Sequence, residues 1–112
     1  MSCLFCRIVA GEVPATVVHD GPRTLGFRDL NPQAPTHVLV IPKDHHANAA
    51  ELAETDPAYA GEVLAAAAAV AKQEGLDGGY RLVTNTGGDA GQSVDHLHIH
   101  VLGGRSLSWP PG

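Results

Sequence analysis

The amino-acid sequence predicts an α+β domain in which antiparallel strands and helices follow one another in mixed order. Three observations favour this fold class: five short stretches of strand-like composition, one long alanine-rich stretch, and short connections that allow antiparallel neighbours. At 112 residues the chain is near the commonest domain size and long enough to bury a core. We therefore expect a single domain over residues 1–112.

Stretches rich in β-branched or aliphatic residues, most of them bounded by turn-forming residues, predict the strands. They are residues 16–19, 24–28, 36–41, 80–85 and 95–102. The sequence Thr55-Asp56-Pro57 is typical of a helix start, and residues 58–74 after it predict one long helix that ends at Gly75. Shorter helical segments are predicted within residues 3–10 and from about 49 to 53.

The composition excludes several classes of protein. The net charge is −5 and only seven residues are lysine or arginine, which argues against a non-specific nucleic-acid-binding protein. No apolar run approaches the ~20 residues that span a bilayer, and the N-terminus lacks the basic-then-apolar order of a secretory signal. We expect a cytoplasmic protein without nucleic-acid or membrane partners, which could still bind a small anionic ligand.

Residues 95–102 alternate three histidines with apolar residues. Period two is typical of a strand, so His96, His98 and His100 should share one face, with neighbours roughly 6.7 Å apart. Packing alone does not explain three imidazoles on one face, because histidine has only an intermediate preference for burial. Two functions fit the row: metal binding, and nucleophilic catalysis in which neighbouring imidazoles orient the nucleophile or move protons.

A glycine-rich loop, Thr86–Ser93, lies directly before the histidines. Its backbone N–H groups and the short polar side chains of Gln92 and Ser93 suit the oxygens of a phosphate. A glycine-rich loop alone is weak evidence, since most are simple turns. Next to three histidines on one face, it favours attack by a histidine on phosphorus.

Three separated blocks of the sequence resemble the histidine-triad (HIT) superfamily. Residues 91–104 contain a run like its signature, in which three histidines alternate with apolar residues, and residues 27–43 resemble its second block. Residues 103–112 resemble the branch of histidine triad nucleotide-binding (HINT) proteins. The resemblance implies a five-stranded antiparallel sheet with one long and one or two short helices, and pairing of two chains into a homodimer.

The resemblance also implies a purine nucleoside phosphoramidate hydrolase, of the adenosine 5′-monophosphoramidase type, that binds purine nucleoside monophosphates. His98 would be the nucleophile, His100 would contact the phosphate and assist proton handling, and His37 would complete the polar network. Asp29 would accept the ribose hydroxyls. The other implied nucleotide-binding residues are Asn85, Gly91, Gln92 and Ser93 near the phosphate or leaving group, and Leu4, Phe5, Ile8, Phe27 and Leu30 around the base. No metal is required for this chemistry, because a neutral imidazole is a competent nucleophile near pH 7.

Cys3 and Cys6 are too close in sequence for a disulfide framework. In a cytosolic chain their spacing indicates metal binding or redox chemistry. The resemblance implies a structural zinc ion bound by these thiolates together with His45 and His96, and such a set suits a closed tetrahedral site. The alternative is that both cysteines are small apolar side chains without a metal.

Other functions remain open from the sequence. Dinucleoside polyphosphate hydrolysis would use similar chemistry, although Gln92 and the tail Trp109–Gly112 favour the phosphoramidate. A nucleotide-binding or scaffold protein with incidental catalysis is a further alternative. A metalloenzyme built on the three histidines is the least favoured.

Overall fold

The structure is a computed structural model that describes residues 3–112. Within these residues, one antiparallel sheet of five strands has the order β1-β2-β3-β5-β4. The strands are Val17–Asp20 (β1), Thr24–Arg28 (β2), Thr36–Pro42 (β3), Tyr80–Val83 (β4) and Ile99–Gly103 (β5). The helices are Leu4–Val9 (α1), Ala49–Thr55 (α2) and Pro57–Gln73 (α3), with a 3-10 turn at Gly88–Ala90. The predicted fold class is confirmed.

The long helix α3 begins and ends where local chemistry requires. Asp56 accepts a hydrogen bond from the Tyr59 N–H at 3.1 Å, and Pro57 occupies the first turn, where its missing N–H is not needed. Gly75 follows the helix with a φ of 73°, in the left-handed region that favours glycine. The helix therefore lies within one residue of the predicted range. No helix in residues 3–112 has the length and apolar character needed to cross a membrane.

The sheet is covered on both faces. Because side chains alternate along β3, Val38 and Val40 face α3, whereas Leu39 and Ile41 face α1. The α3 side holds the larger cluster of buried side chains, to which Leu52, Tyr59, Val63, Ala66, Ala67, Val70, Ala71, Leu97, Ile99 and Val101 also belong. The α1 side holds Phe5, Leu25 and Phe27 as well.

The strand that carries the histidines is shorter than predicted. Regular pairing begins at Ile99, so only His100 of the three histidines lies within β5. Before that point the backbone bonds elsewhere: the Leu97 N–H donates to the His46 carbonyl, and the His98 carbonyl accepts from the Thr84 hydroxyl at 3.0 Å. The alternation of sides still holds, because the apolar residues between the histidines are buried against α3.

β1 and β4 form the two edges of the sheet. Tyr80 on β4 is 43% exposed, and Trp109 in the tail is 81% exposed, so Trp109 does not fill an apolar gap within this chain. Pairing of two chains stays a prediction.

Candidate active site and metal centre

Four histidines and one phenylalanine form a cluster on the α1 side of the sheet. The Phe5 ring lies edge-on to the rings of His98 and His96, with centroid distances of 5.1 and 5.9 Å. The His100 ring lies 5.1 Å from both the His98 ring and the His37 ring. Adjacent strands carry His37 and His100 as diagonal neighbours, because Leu39 pairs with His100. The structure thus brings together the predicted catalytic histidines.

A main-chain carbonyl fixes the tautomer of His98. Its Nδ1 lies 2.8 Å from the His96 carbonyl oxygen, which can only accept, so Nδ1–H donates. In the neutral ring, Nε2 then carries a free lone pair. His98 is only 4% exposed. Nε2 is therefore the nitrogen of His98 that could act as an acceptor or a nucleophile.

A second chain of hydrogen bonds gives His100 the opposite tautomer. The Gln33 N–H donates to His37 Nδ1 at 3.0 Å, so the proton of the neutral His37 ring lies on Nε2. This Nε2–H lies 2.8 Å from His100 Nδ1 and donates to it. His100 must then hold its own proton on Nε2, where it can donate to a phosphate oxygen or to a leaving group.

Burial keeps this pair of histidines neutral. Desolvation is the main cause that lowers the pKa of His100 to about 4, and the neighbouring His98 and His37 contribute to the same shift. Desolvation also lowers the pKa of His37, although the charge of Asp29 raises both values. Near neutral pH both rings are uncharged, as the tautomer assignment requires.

An apolar pocket of about 200 Å³ opens on the α1 side. Phe5 on α1 and Phe27 on β2 meet in it at a centroid distance of 5.4 Å. Every residue predicted around the base lines it, together with Asp29. The remaining lining residues, which sequence reasoning did not identify, are Val13, Pro14, Ala15, Arg28 and Leu39.

Asp29 stands where this pocket meets the histidines. Its Oδ1 accepts from the Asn31 N–H at 2.8 Å, and its Oδ2 lies 3.4 Å from His37 Nε2. The side chain is 21% exposed, against 4% for His37. The carboxylate therefore caps a turn and also remains partly accessible from the pocket.

In the glycine-rich loop, the Gln92 side chain forms hydrogen bonds to backbone groups. Its amide nitrogen donates to the carbonyls of Ala47 and Val94, and its amide oxygen accepts from the Gly87 N–H at 2.9 Å. Gly91 has a φ of 83°, a conformation that favours glycine. Direct phosphate contacts by Asn85, Gly91, Gln92 and Ser93 stay predictions.

The predicted metal ligands converge although they are far apart in sequence. The ligand atoms of Cys3, Cys6, His45 and His96 all lie within 4.8 Å of one another. His96 Nε2–H donates to the Pro42 carbonyl at 2.8 Å, which leaves Nδ1 free and 3.4 Å from Cys3 Sγ. A carbonyl that orients an imidazole in this way is typical of a metal ligand.

In this cluster, burial favours the neutral forms of Cys6 and His96. Burial raises the pKa of the Cys6 thiol, and the neighbouring Cys3 raises it further. Burial also lowers the pKa of His96, which favours its neutral, ligating form. A bound cation would convert the thiols to thiolates. Two sulfurs and two imidazole nitrogens are the donors that zinc prefers in structural sites, so the residues fit such an ion.

A family model described as the HIT domain matches residues 10–107. The chain belongs to the HIT-domain family. The superfamily resemblance seen in the sequence is thus confirmed.

Three proteins similar to this HIT domain are compared with it. The 14 kDa zinc-binding protein of Zea mays is 50% identical over 111 residues, which cover 97% of this chain and 87% of that protein. A HIT family hydrolase from Legionella pneumophila Philadelphia 1 has 49% identity and a TM-score of 0.94, covering 99% of this chain and 100% of that chain. A histidine triad nucleotide-binding protein from Candida albicans has 34% identity and a TM-score of 0.81, and the match covers 97% of this chain and 83% of that chain. This HIT domain therefore shares its fold with proteins named as hydrolases.

Proposed function

We propose that this HIT domain hydrolyses purine nucleoside 5′-phosphoramidates through a covalent intermediate on His98. One observation carries the proposal: neighbouring imidazoles hold opposite tautomers. His98 offers a lone pair on Nε2, and His100 offers a proton on Nε2. Attack on phosphorus with departure of an amine needs one group of each kind.

In the first step, His98 Nε2 attacks the α-phosphorus and forms a P–N bond. The bond from phosphorus to the substrate's nitrogen breaks, and the departing nitrogen takes the proton from His100 Nε2. The His98 ring, now a nucleotidyl-imidazolium, carries a positive charge that offsets the negative charge left on the His100 ring. The products are a neutral amine and a nucleotidyl-histidine. His37 keeps a hydrogen bond to His100 Nδ1 throughout, so His100 cannot turn its bare nitrogen to the leaving group.

In the second step, water attacks the same phosphorus and the bond to His98 breaks. The proton from water returns to His100, and the hydroxyl becomes part of the released nucleoside monophosphate. Both histidines recover their starting tautomers. No external oxidant, reductant or metal is needed for the balance of either step.

The proposed recognition of the nucleotide uses the pocket and its rim. Apolar side chains around the pocket would hold the base by contact rather than by hydrogen bonds, which suits broad purine selection. Asp29 at the rim would accept the ribose hydroxyls. The name of the Candida albicans relative, a nucleotide-binding protein, agrees with this assignment.

We also propose that Cys3, Cys6, His45 and His96 hold a structural zinc ion. The donor set supports this, and so does the name of the Zea mays relative. The ion would tie α1 to the histidine segment and would take no part in the reaction.

Replacement of the nucleophile tests the proposal. We expect His98→Ala to lower kcat/KM for an adenosine phosphoramidate by on the order of 10⁴-fold, while binding of AMP survives. His19→Ala, which changes a histidine whose ring bonds to Thr24 and lies outside the proposed site, should retain activity and serves as the matched control. Full turnover by His98→Ala would exclude the mechanism.

Trapping the intermediate gives a direct readout. After a rapid quench with the phosphoramidate, intact-protein mass spectrometry should show one added nucleotidyl group in the wild type and none in His98→Ala. Competition between a phosphoramidate and a dinucleoside polyphosphate in the same assay ranks the two candidate substrates.

A further inference from the structure

Asp29 is a charged residue that lies between the apolar pocket and the pair of histidines His37 and His100. Its Oδ2 lies 3.4 Å from His37 Nε2, and this same nitrogen lies 2.8 Å from His100 Nδ1. The ligand atoms of Asp29, His37 and His100 all lie within 4.8 Å of one another. The carboxylate is partly exposed and lines the apolar pocket, while His37 is buried.

The geometry makes two acceptors compete for one proton. The Gln33 N–H occupies His37 Nδ1, so the neutral ring has a single N–H, on Nε2. That N–H faces His100 Nδ1 and the Asp29 carboxylate. A free carboxylate is the stronger acceptor for its charge, and a carboxylate already bonded to hydroxyl groups is weaker.

We propose that Asp29 is a positioning residue through which the ribose diol controls the hydrogen bond from His37 to His100. This inference rests on the proposed function and names its substrate class: nucleotides with free 2′- and 3′-hydroxyls. When the diol donates to Asp29, the carboxylate competes less for His37 Nε2–H. The bond to His100 then strengthens and holds the His100 proton on Nε2 for the leaving group.

The electrostatics of the group agree with this coupling. The charge of Asp29 raises the pKa of both His37 and His100, so both rings respond to the carboxylate. The second oxygen, Oδ1, is held by the Asn31 N–H, which limits rotation of the carboxylate away from His37. A change at the sugar is therefore transmitted along a short and ordered path.

The kinetic test compares adenosine and 2′,3′-dideoxyadenosine phosphoramidates in single-turnover experiments at saturating protein. In the wild type we expect the dideoxy substrate to react about tenfold more slowly in the chemical step, in addition to binding more weakly. In Asp29→Asn the ratio of the two rate constants should approach one. Asp77→Asn, a change at an exposed carboxylate outside the site, should keep the wild-type ratio.

Equal single-turnover rates for both substrates in the wild type would overturn the inference, as would an unchanged ratio in Asp29→Asn. Failure of the proposed function looks different, because the wild type would then turn over neither substrate.

A second measurement needs no variant and no turnover. In proton NMR spectra of the wild type, AMP should move the imidazole N–H signal of His37 downfield, as a stronger hydrogen bond requires. Saturating 2′,3′-dideoxyadenosine monophosphate should leave that signal close to its position in the free protein. Equal shifts with both ligands would overturn the coupling, even if Asp29→Asn fails to fold.

Discussion

Main-chain groups give the reactive histidines their different chemistry. The His96 carbonyl fixes a proton on His98 Nδ1, and the Gln33 N–H excludes one from His37 Nδ1. The first contact fixes the tautomer of His98 directly. The second fixes the tautomer of His37, whose Nε2–H then fixes that of His100. Equivalent imidazoles thereby offer a lone pair on His98 Nε2 and a proton on His100 Nε2, which are the two groups that the proposed mechanism needs.

Burial of the neutral pair should make stability depend on pH. The pKa of His100 falls from 6.5 to about 4 on folding, mainly by desolvation, so below 6.5 the unfolded chain binds more protons than the folded one. The contribution of His100 to the free energy of unfolding is fully present above pH 6.5 and is lost as the pH falls through about 4. Because His100 is only partly buried, we expect a loss of about 2 kcal/mol or less.

Urea denaturation of the wild type and His100→Asn at several pH values checks the direction of this pH dependence. The amide does not titrate, so the stability advantage of the wild type should shrink as the pH falls from about 7 to about 4.5. The titrating groups that do not contact His100 are shared by both proteins and cancel in the difference. A difference that stays constant, or grows in acid, would contradict the assignment of a lowered pKa.

Sequence reasoning identified these residues but could not give their tautomers. Three histidines at period two indicated one reactive face, and the resemblance assigned unequal roles to His98 and His100. The groups that enforce the difference are a carbonyl and an N–H, which every residue type offers. Their positions depend on the folded backbone, so no residue pattern predicts them.

The long helix shows why elements were easier to predict than their pairing. Asp56, Pro57 and Gly75 are local signals, and they fixed α3 to within one residue. The histidine strand was predicted too long because period two describes the side to which each residue points, whereas a strand also needs backbone partners. At residues 96–98 those partners are loops and side chains rather than a neighbouring strand.

The buried alanines of α3, which are Ala66, Ala67 and Ala71, allow the helix to lie close to the sheet. Ala67 is fully buried, whereas Ala68, the next residue of the same helix, is exposed. We expect Ala67→Leu to lower the free energy of unfolding by about 1–3 kcal/mol, because extra methyl groups cannot fit without displacing the helix. The matched change Ala68→Leu should alter it by less than about 0.5 kcal/mol. Equal effects in thermal melts would mean that close packing is not what the small residues provide.

At the scale of the whole molecule, the proposed metal ligands join distant parts of the chain. Cys3 and His96 are separated by 93 positions, and their side chains lie 3.4 Å apart. The cysteines come from α1 and its cap, His45 from the joint after β3, and His96 from the segment before β5. Spacing suggested a metal separately for the cysteine pair and for the histidine row, since nothing local connects the two. The complete ligand set was implied by the family resemblance.

The same helix α1 that carries Cys6 also carries Leu4, Phe5 and Ile8 into the apolar pocket. With only six residues, α1 is too short to be stable without tertiary contacts. Removal of a metal from Cys3 and Cys6 should therefore loosen one wall of the pocket as well as the metal cluster. His96 would transmit the same loss toward His98, the proposed nucleophile, because the His96 carbonyl fixes the tautomer of His98.

We expect chelation of the metal to lower the melting temperature and to weaken AMP binding by about tenfold, or about 1.4 kcal/mol. Calorimetric titration of AMP into the metal-loaded and chelated proteins, with metal content measured for each, checks this. The neighbouring variants His45→Gln and His46→Gln provide the matched pair. His45 lies in the cluster, whereas His46 bonds to Glu51, so only His45→Gln should lose metal and affinity together. Chelated protein that binds AMP as tightly as the loaded form would show that α1 holds the pocket wall without an ion.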